Sequence, residues 1–229
     1  MADKIKNYYS NIKKKQTQIK TDENFKNHLI LPSSMILAIG STGSGKTNAL
    51  MSFIERSSGT FYKILIFSGS TTDEPLYERL KKQGGDSVEL YSDIVEFPDL
   101  KTFEEDKDHK KLIIFDDFIN ISSKEMTKIK EYFVAGRKFG FTCFAMAQNY
   151  KEVPKTIVRN INYFIIFKLN DNISINNIIR NHNIDGIDKD AFKDMYLSAT
   201  EKPLNFFMLD LKNPNKQYRY RQNFLNLII

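Results

Sequence analysis

The sequence predicts an α/β protein with a mainly parallel central sheet and helices on both faces. Two observations carry this. From residue 35 onward, short apolar runs alternate with polar stretches of helix length. Runs such as Leu112-Ile113-Ile114-Phe115 are apolar at every position, as expected of strands covered on both sides and not of half-exposed, alternating ones. In chain order the apolar runs place strands at 35–39, 63–67, 88–91, 111–115, 141–147, 163–169 and 204–209. The intervening polar stretches place helices at 46–56, 74–83, 99–108, 123–136, 172–181 and 189–198, the second opened by Asp73-Glu74-Pro75 in the manner of an N-terminal cap.

At 229 residues and 26.7 kDa, one full domain with short extensions is expected. Apolar residues at 41% and charged residues at 27% exclude collagenous, disordered and disulfide-scaffold classes. No apolar run approaches the ~18 residues of a membrane span, so no integral membrane segment is expected. Polar, lysine-rich sequence follows the first residues where a secretory signal would be apolar, which favours a cytosol-like compartment. A single cysteine, Cys143, cannot form an internal disulfide, and His28, His109 and His182 are too scattered to write a zinc site.

Net charge is +6, unevenly spread. Residues 1–30 carry seven Lys against three acids, 71–110 twelve acids against six bases, and 211–229 four bases with no acid. The expected organisation is a basic N-terminal extension over 1–28 that adds little to the core, a nucleotide-binding domain over 29–211 and a basic, aromatic segment over 212–229. A polyanion such as DNA is one reading of the basic ends, a solvated charged face the other.

Three motifs carry chemistry. Gly40-Ser41-Thr42-Gly43-Ser44-Gly45-Lys46-Thr47 lies between a strand and a helix and has the G-x-x-x-x-G-K-[ST] form of a P-loop. Its glycines let backbone N–H groups converge on phosphate oxygens, and the helix N-terminus adds a positive dipole end. Lys46 is expected to reach the β- and γ-phosphates of ATP and Thr47 to ligate Mg2+. Next, the apolar strand at 111–115 ends in Asp116 and Asp117, at the sheet edge where ligands bind in open α/β folds. Asp116 is the candidate Mg2+ ligand, direct or through water; Asp117 is placed to orient or deprotonate an attacking water. Finally, Gln148 is the first strongly polar side chain after the apolar run 141–147, where it could sense the γ-phosphate or merely cap the next turn.

Together, the P-loop, Asp116-Asp117, Ala135-Gly136-Arg137-Lys138 before an apolar strand ending at Gln148, Val153-Pro154-Lys155 and Ile157-Val158-Arg159-Asn160 resemble the poxvirus-type DNA-packaging ATPases of the FtsK–HerA superfamily. The similarity runs over roughly residues 30–210. The resemblance implies a RecA-like P-loop NTPase of the additional-strand catalytic-acid type, with the Gln148 strand between the Walker A and Walker B strands. It implies ATP and Mg2+ as cofactors, and a homo-oligomeric ring, a pentamer or hexamer, that moves double-stranded DNA into a capsid with vertex proteins as partners. It also implies the host cytoplasm or viral assembly sites as location, with some copies on the virion.

Carried over, Lys46 and Thr47 are the P-loop pair, Asp116 the Walker B acid, Asp117 the catalytic acid and Gln148 the sensor. The superfamily usually has Glu at the catalytic position; Asp117 is one methylene shorter, which favours water positioning over direct proton abstraction. Arg137 is the first candidate for an arginine finger lent to a neighbouring subunit and Arg159 the second. Lys138 stands where the family has His, so the choice stays open. Lys13, Lys14, Lys15, Lys216, Arg219 and Arg221 are the chemical candidates for DNA-backbone contact. Tyr218 and Tyr220 are expected to cover a sheet edge. A HerA-like cellular helicase or pump and a slowly hydrolysing nucleotide-dependent scaffold are the competing readings.

Overall fold

The computed structural model describes residues 22–69, 74–182, 184 and 187–228, without the side chains of Asn172 and Lys216. Its centre is a sheet in which β1 (Met35–Ile39), β2 (Lys63–Ser68), β3 (Val88–Tyr91), β4 (Lys111–Asp116), β5 (Phe141–Ala147) and β6 (Tyr163–Ile166) run parallel. Antiparallel β7 (Phe207–Asp210), β8 (Tyr220–Gln222) and β9 (Asn226–Leu227) extend one side, giving the order β3-β2-β4-β5-β1-β6-β7-β8-β9. The helices are α1 (Phe25–His28), α2 (Lys46–Arg56), α3 (Pro75–Gly84), α4 (Ser123–Ala135), α5 (Lys155–Val158), α6 (Asn172–Asn181) and α7 (Lys189–Ala199).

Full burial of β1 and β5 follows from apolar residues at successive positions, which a strand sends to opposite faces. On β4, Ile113 and Phe115 join a core with Phe97, Phe118, Ile129, Tyr132 and Phe133 on one side. Leu112 and Ile114 join Leu50, Phe53 and Tyr77 on the other. Each such ring or branched aliphatic, fully buried, contributes about 1.5–3 kcal/mol relative to exposure. The two layers hold the sheet's C-terminal edge, where β1, β4 and β5 end together, as a rigid shelf.

Three expectations are corrected. The helix expected at 99–108 reduces to one 3-10 turn, Leu100–Phe103. Leu100 and Phe103 anchor that turn in the core, but Glu104-Glu105-Asp106-Lys107-Asp108 offers no apolar stripe to continue it. The second is the boundary after residue 28, because residues 22–28, counted with the N-terminal extension, pack on the body, while residues 1–21 lie outside the described residues. His28 is buried edge-on against Phe53, and Asn24 donates to the Ser58 carbonyl at 2.8 Å. The third is at the other end, where no break separates 212–229 from the domain: β8 pairs with β7, Tyr220 stacks on Phe207 and Phe224 packs on Phe53 and Phe206. Arg221 is therefore a core residue, ion-paired with Asp210 at 3.5 Å with its side chain 1% exposed, and cannot touch DNA. The sequence had made Arg221 a candidate for DNA-backbone contact; the cation is buried instead because Asp210 on β7 is there to receive it.

Candidate functional site

The P-loop follows from β1 running directly into α2. Gly40 N–H donates to the Ala147 carbonyl at 3.2 Å, tying the loop's start to the end of β5. Gly45 caps α2 at φ 107°, a region L-residues avoid, and a Cβ there would lie 2.9 Å from Leu204 Cδ2. The Lys46 ammonium folds over the loop and donates to the Gly40 and Ser41 carbonyls at 2.7 and 3.0 Å. Burial lowers its pKa, an effect that the Asp116 and Asp117 carboxylates oppose. The buried hydroxyl oxygen of Ser44 has no hydrogen-bond partner among the described residues.

Consecutive residues of a strand face opposite ways, so Asp116 and Asp117 could not both serve one site if β4 simply continued. Asp117 resolves this by taking φ 48°, the left-handed region that Asp tolerates better than most residues. The strand breaks there, and both carboxylates line one cavity. Gly69, at the end of β2, braces the break: its N–H donates to the Asp116 carbonyl at 3.0 Å, and a Cβ on it would collide with the Asp117 carbonyl.

Burial raises the Asp116 carboxyl above its usual range, a rise opposed by Tyr77 and Lys46 and reinforced by Asp117. Tyr77, on α3 and 3% exposed, donates its hydroxyl to Asp116 Oδ2 at 2.8 Å. No sequence signal marks Tyr77, which reads as an ordinary core residue of its helix. Glu74 also lines the cavity; its side chain caps α3 by accepting from Leu76 N–H at 3.3 Å.

Gln148 is one residue past β5, in the same cavity. The turn that follows is capped by Asn149, whose side chain accepts from Lys151 N–H at 3.0 Å, so Gln148 is not spent on capping. The cavity, about 390 Å³, is lined by Thr42, Gly43, Gly45, Lys46 and Thr47 from the P-loop and by Asp116, Asp117 and Gln148. Among the described residues no group of three or more His, Cys, Asp or Glu is clustered to hold a metal. Thr47 and Asp116, the pair expected to hold the cation, are among the oxygen donors of the cavity, a set suited to a cation that takes its remaining ligands from phosphate and water.

The arginines lie elsewhere. Arg137 is exposed on the 3-10 turn before β5, at the sheet edge opposite Gln148. Seven strand residues separate the two edges, about 20 Å. Arg159 is exposed at the end of α5 and also outside this cavity. Arg219 donates to the Asn213 carbonyl at 2.8 Å. Lys13, Lys14 and Lys15 lie outside the described residues, and only the backbone is described for Lys216. Tyr220 is buried, whereas Tyr218 is exposed.

A family model for the Poxvirus A32 protein matches residues 86–205, more than half of the chain. The chain belongs to the Poxvirus A32 protein family. The A32 match spans the Asp116-Asp117 pair and Gln148 but ends short of the P-loop, which is therefore an independent signal. Among solved structures, the DNA-packaging ATPase B204 from Sulfolobus Turreted Icosahedral Virus is similar at 17% identity and TM-score 0.55, over 79% of this chain and 93% of that one. The genome packaging NTPase B204 from Sulfolobus turreted icosahedral virus 2, in complex with ATP-gammaS, is similar at 14% identity and TM-score 0.57, over 87% of this chain and all of that one. EssC (ATPases 2 and 3) from Geobacillus thermodenitrificans is similar at 14% identity and TM-score 0.56, over 85% of this chain and 40% of that one. At these identities the likeness establishes the fold, a P-loop NTPase with an additional strand, β5, between β1 and β4. No curated protein sequence matches the chain. Among the described residues no helix is long and apolar enough to cross a membrane.

Proposed function

We propose that this A32-family chain is an ATP-hydrolysing motor that moves double-stranded DNA into a preformed viral capsid. The observation that carries the reading is the convergence of Lys46, Thr47, Asp116, Asp117 and Gln148 on one cavity at the sheet's C-terminal edge. A triphosphate suits that cavity because half-buried Lys46 and Asp116 are each held off their ordinary pKa by burial. A phosphate chain with a divalent cation would neutralise both. Thr47 and Asp116 would hold Mg2+, which supplies charge neutralisation on the phosphates when bound.

Lys46 and the loop N–H groups bind and orient the β- and γ-phosphates. Asp117 positions the attacking water, its reach limited by its short side chain, and Gln148 reads whether the γ-phosphate is in place. Arg137, at the far edge of its own sheet, is the finger in this reading, lent to a neighbour's nucleotide in a homo-oligomeric ring. In this reading the ring works in the host cytoplasm or at assembly sites and docks on a capsid vertex.

Steady-state ATP hydrolysis with and without long duplex DNA, over a salt series and beside Lys46→Ala, tests the proposal. Stimulation by DNA that fades with salt and disappears in the variant is expected. Hydrolysis indifferent to DNA at every salt concentration would overturn the motor and leave an ATPase of another purpose.

A further inference from the structure

A second concavity, about 610 Å³, opens between α6 and the segment that follows β5. Lys151, Lys155, Arg159 and Arg180 line it, together with His182, and no carboxylate is among its described lining residues. All four long cations are exposed, and none forms an ion pair among the described residues. Glu152, the nearest acid in sequence, is exposed but not part of the lining.

The floor is built rather than incidental. Tyr150, Val153 and Val158 are buried beneath the cations. The Tyr150 hydroxyl lies 3.2 Å from His182 Nε2 and accepts from Asn181 Nδ2 at 3.2 Å, joining the 3-10 turn after β5 to the end of α6. Burial lowers the pKa of His182, so the ring adds shape more than charge. Asn177 contributes a neutral amide to the lining.

We propose that this cleft grips the sugar–phosphate backbone of the translocated duplex. The inference rests on the motor reading above. Four cations that are unpaired among the described residues, in a concave site with no acid among its described lining, fit a polyanion held without base reading, which a motor indifferent to sequence needs. Its place in the chain supplies coupling: the turn that carries Lys151 begins two residues beyond Gln148, so a shift of Gln148 on hydrolysis passes along rigid backbone to the DNA contact. Arg159, the second finger candidate, belongs to this surface.

The test is binding of fluorescent duplex DNA to the full chain with a non-hydrolysed ATP analogue present, over a salt series. The neutral pair Lys155→Gln with Arg180→Gln is compared with the charge-preserving pair Lys155→Arg with Arg180→Lys, and Lys151→Gln with Arg159→Gln provides a second neutral pair. Each neutral pair should weaken binding at least tenfold near 0.1 M salt and flatten the plot of log affinity against log salt by roughly 2, at about 0.9 per lost phosphate contact. The charge-preserving pair should keep the wild-type slope. Unchanged affinity and slope in both neutral pairs would overturn the cleft while leaving the motor reading intact; so would an equal loss in the charge-preserving pair, which would show that shape and not charge matters. Absence of DNA binding by the wild-type chain at low salt would overturn the motor reading itself.

Discussion

At the scale of single residues, the site depends on groups that carry no recognisable motif. Tyr77 fixes one oxygen of the cavity-lining Asp116 carboxylate, so it is a positioning residue for whatever Asp116 holds. Tyr77→Phe keeps the buried ring and removes one hydrogen bond, worth about 1 kcal/mol. The expected result is a Mg2+ half-saturation for ATP hydrolysis raised roughly fivefold, with the rate at saturating Mg2+ and the melting temperature little changed. A Mg2+ curve identical to wild type would remove Tyr77 from the site. For the assigned residues, Lys46→Ala should abolish nucleotide binding in a direct assay. Asp117→Asn should retain binding and slow single-turnover hydrolysis on the order of 100-fold, the usual minimum for losing a catalytic base or water-positioning acid. Turnover by Asp117→Asn at the normal rate would pass its role to another acid of the cavity, with Glu74 the next to test.

At the scale of elements, short pieces outside the obvious strands secure the ends of the chain. α1 has only four residues and would not form alone; it is kept by burial of His28 against Phe53. Burial lowers the His28 pKa from 6.5 to about 4, with Arg56 and Arg221 lowering it further and Asp22 opposing them. In the folded chain the ring is neutral, and its Nδ1 accepts from Ile30 N–H at 3.0 Å. The unfolded chain binds the proton more readily, so the stabilisation is full above the ordinary histidine pKa and is lost as pH falls from about 6.5 through 4. The amount at stake is about 3 kcal/mol at most. His28→Asn, which can still accept from Ile30, should flatten the acid limb of stability between those pH values in denaturant melts; an unaltered limb would mean that other groups carry it.

At the scale of the whole molecule, the C-terminal segment closes the sheet and the core beneath α2. Burial lowers the Arg221 pKa and raises that of Asp210, so desolvation works against the charged form of each partner of the ion pair. Such a pair adds little net stability when intact, but breaking it strands a buried charge at about 3–5 kcal/mol. Arg221→Ala should therefore lower the melting temperature by roughly 10 °C in a chain of this size. A larger loss is expected on truncation after residue 211, which also removes β8, Tyr220 and Phe224. A truncated chain that melted like the full one would restore 212–229 to the status of a separate tail.

The sequence by itself determined the parallel strands, because runs such as 111–115 and 141–147 are apolar at every position and only a doubly covered sheet buries both faces, whereas β8 and β9 carry no such run. It determined the phosphate loop too, since glycines, lysine and threonine at that spacing between strand and helix are local properties of the chain. Gln148 was legible for the same reason, as the first polar residue past a buried strand. Only the tertiary structure decided where the cations lie. Arg221 went inward because Asp210 waits on the adjacent strand, and Arg180 on α6 was brought beside Lys151, Lys155 and Arg159, which are neighbours on the segment after β5. The Tyr77–Asp116 hydrogen bond likewise joins residues 39 positions apart, a contact that no local pattern encodes.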